Sequence, residues 1–417
     1  MRIHVIGLGV GEGMRLSEPA QRALMAAHTI IGSPRQLELA RDLAGGAELS
    51  LRELPKLAEL KALIESLADG EIGILASGDP LFYGIGRWLS RHFDAGRLAF
   101  YPAVSSIQAV CNRLGLALQD CRVISLHGRD LSGLSRVLKQ NRNLVVLTDR
   151  HSHPRALAQA CVEAGFAQSR IHVAEDLGSN RERYREFAAQ DLAKQADFDC
   201  SELNVVVIRT RGAGGRLPEF PGIDDRRFAT DGAPGQGMFT KREVRLAILA
   251  LLQAGSGDRV WDLGAGCGGV ASELAHWNEA VEVYAVEQHP ERLACLAENR
   301  RRFGCAANLH IVDGRASAVL DDLPDPHKVF VGGSDGELDA ILDAAWRRLP
   351  ARGVLLASAV TDTTRQGLQA FAATLDPAQV EIVDIAVSRG VCSDGVIEYQ
   401  QKRPVTLFRF ERDGGEA

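Results

Sequence analysis

The stretch Val260-Trp261-Asp262-Leu263-Gly264-Ala265-Gly266-Cys267-Gly268-Gly269-Val270-Ala271 leaves this chain few ways to fold. An apolar run ends at Asp262-Leu263, glycines stand at the alternate positions 264, 266 and 268, and an apolar-periodic stretch follows through Ala275. That order predicts strand, tight loop, helix. A loop without Cβ atoms lets the backbone approach a ligand closely, and the helix behind it offers unpaired N–H groups and partial positive charge. Nucleotides and amino-acid carboxylates both suit such a place.

The next apolar run, Val281 to Glu287, ends in a carboxylate about 20 residues downstream, the distance at which an acid can accept both hydroxyls of a ribose. NAD and S-adenosylmethionine fit this equally. The loop spacing is GxGxG after an acid, whereas a dinucleotide fingerprint wants GxGxxG, and it resembles the first motif of class I methyltransferases. S-adenosylmethionine is therefore the expected ligand, with Gly264, Ala265, Gly266, Cys267 and Gly268 at its methionine end and Glu287 on its ribose. The plain alternative is a turn that is glycine-rich only so that helix and strand can pack. Cys267 itself is expected to be a small filler residue.

A length of 417 residues implies two or three domains. The formal net charge of −6 argues against broad nucleic-acid binding, which needs a cationic face. No apolar run approaches the ~18 residues of a membrane span, and the chain enters a strand at once, so neither a membrane anchor nor a leader is expected. The eight cysteines are scattered singly, without CxxC or clustered histidines, which predicts reduced thiols, a cytoplasmic setting and no metal site.

Apolar strands alternate with helical stretches through residue 209, beginning at Arg2-Ile3-His4-Val5-Ile6-Gly7 and ending in Leu203-Asn204-Val205-Val206-Val207-Ile208. A Gly-, Pro- and charge-rich run without periodicity follows. The expected organisation is a domain over 1–210, a linker and lead-in over 211–236, and a second domain over 237–417. In the second, strands separated by helices predict a parallel doubly wound sheet, and the last two, VEIVDIAVSRG and VTLFRFE, separated by a polar loop, predict an antiparallel hairpin. In the first, three small-residue loops follow strands: Gly7-Leu8-Gly9-Val10-Gly11, Ser77-Gly78-Asp79-Pro80 and Pro102-Ala103-Val104-Ser105-Ser106. Loops of this kind converge on one edge of an open sheet, where α/β proteins bind ligands.

The three N-terminal loops together resemble the tetrapyrrole (corrin and porphyrin) methylases, a class III methyltransferase fold, although the first lacks the proline of that family's GxGPG pattern. The second half, with Thr240-Lys241-Arg242-Glu243-Val244-Arg245, the glycine loop and Phe330-Val331-Gly332-Gly333, resembles the decarboxylating class I (Rossmann-like, seven-stranded) methyltransferases that act on the same substrates. Fused in this order, the halves are similar to decarboxylating precorrin methyltransferases of cobalamin biosynthesis. The resemblance implies methylation of a reduced, anionic tetrapyrrole at carbons 5 and 15 and loss of the ring C acetate as carbon dioxide, with one S-adenosylmethionine per domain and a homo-oligomer as the assembly.

It also implies site residues. Gly9, Gly78, Asp79, Ser105 and Ser106 are expected at the first cofactor, with Thr148 and Asp149 at another strand end. Thr240 and Ala316 join the second cofactor, and Thr240 with Glu243 three residues on also fits a capping box. Tyr83 and His127 are expected to face the macrocycle, His127 as a proton carrier. Arg242, Arg245 and Arg129 are candidates to grip its carboxylates, because guanidinium makes planar two-pronged contacts. The rival readings are a nucleic-acid methyltransferase, a dehydrogenase and a protein that only senses S-adenosylmethionine. The first lacks its [DN]PP[YF] signature, since the place after the fourth strand reads Phe330-Val331-Gly332-Gly333-Ser334.

Overall fold

The computed structural model describes residues 2–11, 14–45, 47–67, 70–126, 128, 130–212, 217–393 and 395–414. His127 and Arg129 lie outside the described residues. The chain forms two compact units: Met1–Arg129 with Gln140–Ala213, and Asp130–Lys139 with Gly214–Ala417. Among the described residues no helix is long and apolar enough to cross a membrane.

The first unit holds two sheets. β1 (Arg2–Leu8), β2 (Thr29–Gly32), β3 (Leu51–Glu53), β4 (Glu71–Ser77) and β5 (Leu98–Tyr101) form a parallel sheet in the order β3-β2-β4-β1-β5. β6 (Cys121–Ser125), β7 (Asn143–Leu147), β8 (Arg170–Glu175), β9 (Arg183–Ala188) and β10 (Asn204–Arg209) form a mixed sheet in the order β6-β7-β10-β8-β9. β1 is central in its sheet and therefore reads as an unbroken apolar run, buried from Ile3 to Leu8. β3 and β9 escape a periodicity reading because β3 has three residues and β9, RYREFA, is polar at the sheet edge.

The second unit is built on a seven-stranded sheet. β11 (Arg259–Leu263), β12 (Glu282–Glu287), β13 (Leu309–Asp313), β14 (Lys328–Val331), β15 (Val354–Ala359), β16 (Val380–Ile385) and β19 (Val405–Glu411) run in the order β13-β12-β11-β14-β15-β19-β16. The first five strands are parallel, and β19 is antiparallel to both β15 and β16. β16 and β19 thus pair as expected, but their connection is no polar loop. It carries a separate antiparallel ribbon, β17 (Ser388–Ser393) and β18 (Val396–Gln401). Apolar clusters cover both faces of the sheet, with Val260 facing one and its neighbour Trp261 the other.

The lead-in expected to be irregular does more than link. Ile223 and Phe228 are buried in the second unit's core, and Asn299 both donates to the Ala229 carbonyl and accepts from its N–H at 2.8 Å. Asp225, on a short 3-10 turn, accepts from the N–H of Arg242 at 3.0 Å.

Candidate functional site

In the second unit the sheet order reverses between β11 and β14, and the loops that follow these strands touch. The N–H groups of Gly332 and Gly333 both donate to Leu263 O, at 2.9 and 3.3 Å. A Cβ on Gly264 would come within 2.5 Å of Gly333 O, and its φ of +71° is costly for any other residue. Beside these loops opens a cavity of about 840 Å³ at the carboxyl ends of the strands, where open α/β sheets bind ligands.

Thr240, Gly264, Ala265, Gly266, Glu287 and Ala316, from four separate stretches of the chain, line this cavity. Glu287 ends β12, is nearly buried, and accepts from Gly266 N–H at 2.8 Å and from the N–H groups of Gln288 and His289 at 2.9 Å. Asp262 also reaches the cavity. Its Oδ2 accepts from Ala271 N–H at 2.9 Å while its buried Oδ1 has no partner among the described residues. Burial, helped by the nearby Glu287 charge, raises this carboxyl from its ordinary 3.8 to about 7. A glycine cradle, an acid for ribose hydroxyls and an orphaned buried carboxyl oxygen fit a nucleoside that carries a positive charge.

Cys267 and Gly268 stand behind this lining. Cys267 is fully buried, and burial pushes its thiol up to about 12, so it is a neutral filler. Gly268, at φ +80°, is the N-cap of the helix Gly269–Trp277.

Three expectations need correction. The helix after Thr240 runs Arg242–Leu252 with Lys241 as N-cap, so no Thr240 capping box forms; Asp225 takes the Arg242 N–H, and Glu243 turns to Arg389. Arg245 is fully buried and cannot reach a substrate. It donates to Glu273, to Asp225 at 3.1 Å, to Thr240 O at 2.7 Å and to Ile223 O at 2.5 Å, and lies 4.6 Å over the Phe228 ring. Arg242 lies outside the cavity lining and is paired with Glu243 at 3.6 Å. The cations that do line the cavity include Arg389, Lys402 and Arg403, which sequence reasoning passed over. The available signal was Asp394-Gly395, a dipeptide that favours a hairpin turn.

In the first unit the loops after β1, β4 and β5 also meet. Gly78 N–H donates to Leu8 O at 2.7 Å, and Ala103 N–H donates to Gly78 O at 3.2 Å. They border a cavity of about 960 Å³ lined by Gly9, Gly78, Tyr83, Ser106 and Thr148, with Gly11 beside them. Tyr83, at φ +56°, donates its hydroxyl to Val123 O at 2.9 Å. Asp79 and Ser105 are outside the lining: Asp79 Oδ1 accepts from Leu81 N–H at 2.8 Å, and Ser105 caps the helix Ser106–Leu114 in a capping box with Gln108. Asp149 organises its own loop. Hydrogen bonds from Gly128 N–H, then Ser152 and His151, hold its carboxyl well below the usual range.

Comparison with known proteins agrees with both halves. The family described as Tetrapyrrole (Corrin/Porphyrin) Methylases matches residues 2–193, and that described as Precorrin methyltransferase domain matches residues 228–412. A Sinorhizobium protein named precorrin-6Y C(5,15)-methyltransferase [decarboxylating] is 34% identical over 98% of this chain and 96% of its own length. The chain belongs to that family. Two shorter relatives each correspond to about half of it. The cobalt-precorrin-7 C(5)-methyltransferase of Salmonella typhimurium is 31% identical over 49% of this chain and 96% of its own length. A probable cobalt-precorrin-6B C(15)-methyltransferase (decarboxylating) of Pyrobaculum calidifontis is 36% identical over 41% of this chain and 85% of its own length.

Proposed function

We propose that this chain methylates precorrin-6Y at carbons 5 and 15 and removes the ring C acetate as carbon dioxide, giving precorrin-8. The relationship over nearly the full length of both chains carries the reading. The first unit adds the methyl at carbon 5, and the second adds that at carbon 15 and decarboxylates. The division is supported by the two half-length relatives, one named for carbon 5 and the other for carbon 15 with decarboxylation.

S-adenosylmethionine supplies an electrophilic methyl group when bound, one molecule to each unit. Transfer to an electron-rich ring carbon needs alignment more than a protein nucleophile, so the contribution of this chain is mainly positioning. In the second unit Glu287 would accept from the ribose hydroxyls and the loop from Gly264 to Gly266 would receive the methionine end. The neutral Cys267 thiol does not compete as a nucleophile. In the first unit the grip comes from backbone at Gly9 and Gly78 and from Ser106, with Tyr83 toward the macrocycle.

Incubating the protein with methyl-labelled S-adenosylmethionine and precorrin-6Y tests this. Two labelled methyl groups per tetrapyrrole and one released carbon dioxide are expected; an unlabelled tetrapyrrole with no gas release removes the reading. Titration with S-adenosylhomocysteine should give a stoichiometry of two.

A further inference from the structure

We infer that the β17–β18 ribbon is a carboxylate clamp, in which Arg389, with Lys402 and Arg403, holds the anionic tetrapyrrole in the second unit. This rests on the function proposed above. Along β17 the alternate residues Val387, Arg389 and Val391 line the cavity, and across the ribbon Gln400, the register partner of Arg389, does the same. Lys402 follows Gln400 at the same spacing, and its N–H donates to Val387 O at 2.9 Å, closing the base of the ribbon. Side chains of a strand alternate between faces, so one face of the ribbon is committed to the cavity.

Charge divides the cavity in the sense the reaction needs. The strand-end loops bring Asp262, Glu287, Asp335 and Glu337; of the lining cations outside the ribbon, Arg292 pairs with Asp231 at 3.1 Å, Arg315 pairs with Glu337 at 3.3 Å, and Lys241 donates to Gly235 O at 3.0 Å. The ribbon and its exit bring Arg389, Lys402 and Arg403. A sulfonium belongs at the first side and a polycarboxylate at the second.

Arg389 is held for such an exchange. One nitrogen, Nη2, donates to Asp225 Oδ2 at 3.2 Å and to Glu243 Oε2 at 2.6 Å, so among the described residues Nε and Nη1 remain for a further acceptor. Asp225 is itself tied to the buried Arg245, which anchors the guanidinium to the core. Among the described residues no carboxylate pairs with Lys402 or Arg403. Nε and Nη1 point to different sides of the guanidinium, so each offers a single charge-assisted hydrogen bond to a carboxylate, and the lysine and arginine neighbours add attraction for a ligand bearing several.

The test uses the full chain and its Arg389→Ala, Lys402→Ala, double and Arg389→Lys variants. KM and kcat are measured for carbon dioxide release from precorrin-6Y, and tetrapyrrole binding by absorbance titration. Each alanine variant should raise KM about 10-fold and the double variant about 100-fold, as loss of a charge-assisted hydrogen bond does. S-adenosylhomocysteine affinity should be unchanged, and Arg389→Lys should recover part of the loss. Lys402→Ala disturbs no ion pair among the described residues, so it reads the clamp even if Arg389→Ala loosens the fold. A parent chain that turns over precorrin-6Y while the variants keep its KM overturns the clamp alone. A parent chain that neither binds nor converts the tetrapyrrole overturns the clamp and the function together.

Discussion

In the second unit the strands bring two carboxylates to the cavity, Asp262 and Glu287, each largely sealed from water. In the first unit the described residues of the loop after β1 bring none, and the acid on the neighbouring loop, Asp79, holds Leu81 N–H while Glu202 stands exposed at the rim. Both cavities open where loops after adjacent parallel strands share backbone hydrogen bonds, but one seals two acids into this frame, whereas the charged side chains at the other, Arg35, Arg87 and Glu202, stand exposed around it. Side-chain recognition should therefore be severed by single substitutions that leave the backbone in place, whereas backbone recognition should yield only to changes of loop shape.

The largest effect expected is on the buried ion cluster. Arg245→Met leaves the buried Glu273 without its cation and Asp225 with Arg389 alone, and breaking such a buried pair costs about 3–5 kcal/mol. Denaturant unfolding followed by probes in each unit should show the loss in the second unit alone; an equal loss in both would break the comparison. Gly264→Ala comes next, at roughly 2–4 kcal/mol for a left-handed φ plus a clash with Gly333. Gly9→Ala, whose Cβ would meet Met14 only at 3.6 Å, should stay within about 0.5 kcal/mol. Thermal midpoints of the two variants read that contrast directly.

Glu287→Gln should weaken S-adenosylhomocysteine at one of two sites by about 10–100-fold, the worth of hydrogen bonds to a charged acceptor. Calorimetric titration checks it, and equal weakening of both sites would deny the separate wiring of the units. The smallest effect concerns pH. The folded pKa of Asp262, about 7, lies above its ordinary 3.8, so the folded chain retains a proton that the unfolded chain gives up between these values. The stability this group contributes is present below pH 4 and is lost as pH rises to 7. Asp262→Asn should accordingly gain on the parent chain across that window, and a stability difference independent of pH would show that the carboxyl is not shifted.

The legibility of the chain follows the same divide. Gly264, Gly266 and Glu287 could be read because spacing along consecutive strands fixes where their atoms fall. Gly78 could be placed at a strand end for the same reason. Arg245 could not be placed, because a helical arginine at an apolar position looks like a cation near a site until its buried partners, Asp225 and Glu273, are seen to come from 20 and 28 residues away in sequence. Thr240 failed as a cap because an acid in the lead-in, Asp225, took the helix's first free N–H. The ribbon stayed hidden since both of its faces are exposed, so its residues carry no apolar alternation to betray it.

That exposure has a practical consequence. Of the eight thiols, Cys392 is the exposed one, and it stands opposite Ile397 on the ribbon, one position along from the cavity-lining Val391. A maleimide dye would react there first, so the molecule arrives with its own attachment point for a reporter on this hairpin.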